Sequence, residues 1–235
     1  MTSLNLSADD RAALDRPVWS ALTSGHSALA ESTALARRYP AAIAPFAAVS
    51  EDSDAAWSEL ADLAKDDIAA IVSLASLGTI RGLDAQFSLV IRQMVAASVV
   101  EAGEDAAVET LDHRDIPAML ELTAVTKPGP FLARTHELGR YIGIRDGQRL
   151  AAMAGERMHL DGFTEISAVC VHPDYRGRGY AQILMGNLMK AIAGRGETPI
   201  LHVLDDNQGA ILLYERLGFM TRTTLRFTVL RRSGR

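Results

Sequence analysis

The sequence predicts an α+β fold in which helices pack on a mixed sheet. Three observations carry this. In the second half, segments follow in the order strand, helices, antiparallel meander, helix, strand, helix, strand, which is neither a plain parallel alternation nor all-β. The meander contains a hairpin signal, Arg145-Asp146-Gly147, with Asp-Gly as the turn dipeptide. An apolar strand then runs into a glycine-rich loop that opens a helix near Gly179.

The first hundred residues read as a smaller α+β unit. Ser7 followed by Asp10 fits a helix N-cap and its N3 partner. Trp19, Leu22 and Leu29 fall near one helical stripe. A second helix is expected from Ala55 to Leu63, after the cap-like Ser53 and Asp54. Apolar runs at Ile68–Leu74 and Phe87–Val95 are expected to be strands joined through a Gly78–Gly82 turn region. Glu101–Asp105, with Gly103, is the expected linker, giving units at residues 1–102 and 106–232.

Beyond it, Val108–Leu111 reads as a strand, followed by a helix with Asp115 as N-cap and Pro117 in its first turn. Lys127-Pro128-Gly129-Pro130 stops that helix, and a short helix is expected at Ala133–Leu138. Tyr141–Ile144 and Arg149–Glu156 form the hairpin, and Thr164–Val171 is a third strand ended by Pro173. A helix from Gly179 to Ile192, a strand from Pro199 to Leu204 and a helix from Gln208 to Leu217 follow. Phe219–Leu230 supplies one or two last strands.

With 235 residues, 48% of them apolar and 23% charged, the chain can bury a sizeable core. A net charge of −5 argues against a nucleic-acid binder, and Arg231, Arg232 and Arg235 read as a solvated tail. Met1–Asp15 lacks the order of a signal peptide, and no run nears the roughly 18 apolar residues that span a bilayer. The single cysteine excludes an intrachain disulfide and a cysteine-based metal cage, so the expectation is a cytoplasmic protein without a metal. His159 and His172 offer no ligand spacing.

The chemistry concentrates in Val171-His172-Pro173-Asp174-Tyr175-Arg176-Gly177-Arg178-Gly179-Tyr180-Ala181. Gly177 and Gly179 permit positive φ and let successive N–H groups point one way. The helix that follows adds unpaired amides and the positive end of its dipole. Arg176 and Arg178 add positive charge in an acidic protein. A pyrophosphate is the expected guest. A dinucleotide-binding oxidoreductase is the obvious competitor, but it wants a small residue where Gln182 stands and a parallel β-α-β context.

Arg176-Gly177-Arg178-Gly179-Tyr180-Ala181 resembles the Arg/Gln-x-x-Gly-x-Gly/Ala signature of the GCN5-related N-acetyltransferase (GNAT) superfamily. Asn207-Gln208-Gly209-Ala210 through Leu213-Tyr214-Glu215-Arg216-Leu217-Gly218-Phe219 resembles its next block, about 30 residues on. Glu165-Ile166-Ser167-Ala168-Val169 leading into Val171-His172-Pro173 is similar to the FR47-like branch. The resemblance covers roughly residues 105–232. It implies a mixed, mostly antiparallel sheet with helices on both faces, and acetyl-CoA as co-substrate. It leaves the first hundred residues as an accessory or degenerate GNAT-like domain, or as a helical cap.

Carried onto this chain, the resemblance lays the pantetheine arm along Val169, Cys170 and Val171 as an added strand would lie. The pyrophosphate takes amides of Arg178, Gly179 and Ala181, with Arg176, Gly177 and Tyr180 close by and Asn207 near the arm. A primary amine arrives mostly protonated, with a pKa of about 10.4. Glu165 matches the base that removes that proton, often through water, and Tyr214 matches the acid for the leaving thiolate. Val169 N–H would polarise the thioester carbonyl.

Other residues keep two readings. Cys170 is an acyl-carrying nucleophile or, more commonly in a strand, a small buried hydrophobe. His202 shuttles a proton or is structural. Arg134, His136 and Glu137 lie where acceptor-binding helices are expected, or on a solvated surface. Trp19 and Trp57 read as packing anchors. The resemblance implies direct acetyl transfer to the amine of a small molecule or amino acid, with a non-catalytic acyl-CoA sensor as the rival. A second copy of the chain is an open partner; a nucleic acid or a membrane is not expected.

Overall fold

A computed structural model describes residues 4–98 and 108–233. The elements, in order, are α1 (Ala8–Asp15), α2 (Pro17–Thr23), β1 (Glu31–Ser32), β2 (Ala36–Arg38), β3 (Ala47–Val49), α3 (Asp54–Ala64), β4 (Ala69–Ser73) and β5 (Leu83–Ala96). Then come β6 (Val108–Leu111), α4 (Ile116–Thr126), β7 (Tyr141–Asp146), β8 (Arg149–Leu160), β9 (Phe163–Val171), α5 (Tyr180–Gly194), β10 (Thr198–Leu204), α6 (Gln208–Arg216) and β11 (Phe219–Arg232).

Local chemistry sets most of the boundaries. Ser7 Oγ accepts the Asp10 N–H and Asp10 returns the bond, a capping box that starts α1. Ser53 caps α3 in the same way, through the Ala56 N–H. The Trp19–Leu29 stripe is not one helix: α2 stops at Thr23, and Leu29 sits in a separate 3-10 turn. The chain bends because Gly25 lies against His159, where a Cβ would come within 2.7 Å of that residue's Cβ and carbonyl oxygen. Asp115 precedes α4 as expected but makes no side-chain cap; it accepts from the Asp112 N–H and Arg145 instead. The hairpin turn is centred one residue later than expected, because Asp146 still pairs with Arg149 and Gly147, at φ +59°, takes the bend.

One eight-stranded sheet organises the molecule, in the order β4-β11-β5-β10-β9-β8-β7-β6. β9 and β10 run parallel; all other neighbours in it run antiparallel. The linker expected at Glu101–Asp105 lies outside the described residues. Strands from either side of it share this sheet, and β5 sits between β10 and β11. Phe219–Arg232 is a single strand with register shifts at Arg222 and between Val229 and Leu230. A small sheet, β1-β2-β3, was not expected, since its strands are two or three residues long.

Helices cover both faces. α5 buries Leu184, Met185, Leu188, Met189 and Ile192 at i, i+4 spacing against Ile142, Ala152, Ile166 and Leu201. Each such side chain is worth roughly 1.5–3 kcal/mol relative to exposure. On the opposite face α1 and α2 pack Leu14, Val18 and Leu22 against Val95, Phe163 and Ile200, and α4 packs Met119 and Leu122 against Met153 and Cys170. Leu201 and Ile200 thus lie on opposite sides, as strand alternation requires.

Candidate active site

The site begins where two strands part. β9 and β10 pair at Phe163–Thr198, Thr164–Pro199 and Glu165–Ile200, and their register ends there. β10 continues along β5 as far as Leu204–Ile91, while β9 stays on β8 as far as Val171–Ala152. Beyond Glu165 the facing edges of β9 and β10 therefore lack strand partners, and a cleft opens between them. Ala168, at φ +53°, sits at a register shift against β8 and bends β9 away.

A cavity of about 460 Å³ fills this cleft. Val169, Cys170, Val171, Arg176, Ala181, Asn207 and Tyr214 line it, so the structure brings most of the expected site together. Gly177, Arg178, Gly179 and Tyr180 continue the loop between Arg176 and Ala181, outside the lining itself. Gly177 and Gly179 have φ +77° and +76°, with open space where a Cβ would stand. Gly179 is the N-cap of α5 and offers no side-chain cap. The first-turn amides of a 15-residue helix are thus left for an external anion. Arg178 lies over the Tyr175 ring at 5.0 Å, which seats one cation beside the loop.

Asn207 caps α6 by accepting the Ala210 N–H at 3.2 Å. One turn on, Tyr214 packs edge-on to Phe219, and burial pushes its hydroxyl up to about 12. It stays protonated across the neutral range. Burial likewise pushes the Cys170 thiol up to about 11, so the sulfur is no ready nucleophile.

Glu165, expected as the base, is enclosed. Its side chain is fully buried, and Arg157 grips both oxygens, Nε to Oε2 at 2.8 Å and Nη2 to Oε1 at 2.5 Å. His202 Nδ1 lies 2.7 Å from Oε1. Burial alone would raise its pKa, but the Arg157 charge, His202 and their hydrogen bonds prevail and hold the carboxyl at about 2. Arg157 and His202 line the cavity; Glu165 stands behind them.

The far end of the cavity is apolar, formed by Phe46, Val72, Leu89, Ile91 and Phe227. Lys127–Pro130 supply another wall. Arg134 and Glu137 pair with each other at the exposed surface, and neither they nor His136 reach the lining. Sequence reasoning missed Arg157 and the apolar end. Arg157 lay one residue beyond the expected strand end at Glu156, whereas the strand runs on to Leu160, and Phe46 and Phe227 come from segments far apart in the chain.

No helix is long and apolar enough to cross a membrane, and no group of three or more His, Cys, Asp or Glu could hold a metal, both among the described residues. The strands before the loop form the antiparallel meander β7-β8-β9, unlike the parallel context of a dinucleotide-binding fold.

The FR47-like protein family matches residues 141–228. A solved GNAT-family structure from Novosphingobium aromaticivorans superposes with a TM-score of 0.87 and 37% identity, covering 94% of this chain and 99% of that one. An acetyltransferase of Yersinia pestis is 44% identical over 57 residues, 23% of this chain and 40% of that protein. The mycothiol acetyltransferase of Mycobacteroides abscessus is 36% identical over 99 residues, 41% of this chain and 30% of that protein. The chain thus spans less than half the length of these curated relatives. On the full-length structural match, the family match and the cleft with its glycine loop, the chain belongs to the GNAT family of acetyltransferases.

Proposed function

We propose that this protein moves an acetyl group from acetyl-CoA to a primary amine by direct attack. One observation carries the reading: a single cavity reaches from Arg176 and Ala181, which flank the glycine loop, along the opened edge of β9 to Tyr214. The fit to coenzyme A rests on the uncapped amides at Gly179 and on the open space over Gly177 and Gly179. Amides of Arg178, Gly179 and Ala181, with Arg176, Gly177 and Tyr180 beside them, would hold the pyrophosphate. Val169, Cys170 and Val171 would pair with the pantetheine arm as a missing strand would, with Asn207 across the cleft.

Val169 N–H would polarise the carbonyl, and Tyr214 would protonate the departing sulfur. Glu165 enters as the positioning group that fixes Arg157 and His202 in the wall; a carboxylate held at about 2 binds a proton too weakly to take one from an ammonium. The test is incubation with acetyl-CoA and an amine panel, reading free thiol, alongside thermal unfolding with coenzyme A. Thiol release dependent on amine, with a raised Tm, supports it. Absence of both overturns it.

The engaged Glu165 also favours a second reading, a cofactor-binding sensor without turnover. It predicts coenzyme A binding with no amine-dependent thiol release.

A further inference from the structure

We propose that the acceptor is an aromatic amine, uncharged at neutral pH and carried on a hydrophobic body. This deepens the acetyl-transfer reading and rests on it. The far wall is aromatic, with Phe46 and Phe227 in the lining and Phe87 packed behind Phe227 towards solvent. Phe46, 3% exposed, meets Phe227 at 6.1 Å, and Phe227 meets Phe87, half exposed, at 6.3 Å. Val72 and Leu89 fill the space beside them. Such a surface stabilises an apolar ring by roughly 25 cal/mol per Å² removed from water.

The charges in the cavity point the same way. Among the described residues lining it none is Asp or Glu, whereas Lys127, Arg157 and Arg176 are cationic. An ammonium entering here meets positive charge and no carboxylate. The Phe46 ring already carries a cation, since the Arg157 guanidinium lies over it, 4.8 Å from its centre.

A proton acceptor is also lacking. Arg222 Nε donates to Gln93 Oε1, and Gln93 Nε2 donates to Leu14 O, which fixes the amide's orientation. The same Nε2 lies 3.0 Å from His202 Nε2, so that ring nitrogen accepts, and Nδ1 carries the proton given to Glu165. His202 thus has no ring lone pair free for an ammonium proton, and Glu165, with both oxygens engaged behind Arg157 and His202, does not reach the cavity. An aliphatic amine, with a pKa of about 10.4, needs such a base. An aromatic amine does not: its lone pair is shared with its ring, and it arrives neutral.

The step balances without a dedicated base. The nitrogen lone pair forms the C–N bond, the C–S bond breaks, and the sulfur takes the Tyr214 proton. The nitrogen then gives up one proton, which restores Tyr214 through solvent. One proton moves from nitrogen to sulfur, and none is released overall.

The experiment measures kcat/KM with acetyl-CoA for para-ethylaniline, phenylbutylamine, spermidine and lysine. Para-ethylaniline is expected to exceed phenylbutylamine by at least about tenfold and the two polar amines by more, the scale of discrimination by an apolar pocket. Its rate is expected to be flat between about pH 6.5 and 8, while any phenylbutylamine rate climbs as the amine deprotonates. Leu89→Glu, and the milder Phe227→Leu, are expected to raise the KM for para-ethylaniline and leave coenzyme A affinity unchanged. Preference for spermidine, lysine or phenylbutylamine, or an unchanged KM in both variants, overturns the acceptor class alone. No reaction with any of the four in a protein that binds coenzyme A overturns the acceptor class and favours the sensor reading. Failure of coenzyme A to bind overturns the acetyl-transfer reading beneath it.

Discussion

His202 and Glu165 meet at 2.7 Å across β9 and β10 at the level where the two strands stop pairing. Arg157 closes the group from the other side, so a buried ion pair and an imidazole hold the closed end of the cleft. Removing one member leaves its partner charged and buried. Glu165→Gln is expected to cost about 3–5 kcal/mol, read as a lower denaturant midpoint with unchanged m-value. Glu165 also sets an acid limit. Its folded pKa, about 2, lies below the ordinary 4.5, so its stabilisation is complete above pH 4.5 and is lost as pH falls towards 2. The variant should lack that part of the acid sensitivity.

His26 produces a second pH dependence in a higher window. Burial, then the nearby His159 ring at 5.0 Å, lower its pKa to about 4, while Tyr39 Oη lies 2.8 Å from its Nδ1. The fold holds it neutral. Stability is therefore full above the ordinary value of 6.5 and declines as pH drops from there towards 4, by at most about 1.4 kcal/mol per pH unit. Denaturation of the His26→Gln variant at pH 7 and pH 5 should show a smaller difference than the parent protein does.

Gly179→Asp places a carboxylate at the anion site and a side chain at φ +76°. Coenzyme A affinity by calorimetry should fall by more than about tenfold. An unchanged affinity would move the pyrophosphate elsewhere.

Tyr214→Phe keeps the ring that packs on Phe219 and removes the acidic proton. Turnover should drop by about 10²–10⁴-fold with little change in coenzyme A affinity. Because burial holds the hydroxyl at about 12, the parent enzyme should show no loss of acid function as pH rises through 9.

The site was legible where its chemistry is local. Gly177, Gly179 and the helix that follows form a contiguous anion cradle, and contiguous patterns can be read along a chain. Ser7 with Asp10, and Ser53, fixed helix starts for the same reason. The acceptor end was not legible. Phe46 is placed by a bridge to Ala70, and Phe227 by pairing with Leu89, contacts between distant segments that no periodicity records. Glu165 shows the other failure. Its place at the start of β9 suggested a base, but its environment comes from Arg157 eight residues earlier, on β8, and His202 on β10.

The position of β5 between β10 and β11 has a kinetic side. Leu83 pairs with Arg232 and Ala96 with Phe219, so neighbouring strands are separated by more than half of the chain. Contacts this remote carry the full entropy of closing a long loop before they return any energy, and high contact order slows folding to milliseconds or longer. Until the last strand reaches it, β5 has an open edge and carries the exposed Phe87 and Leu89, so Leu89 of the cavity wall and its neighbour are an aggregation risk in the nascent protein.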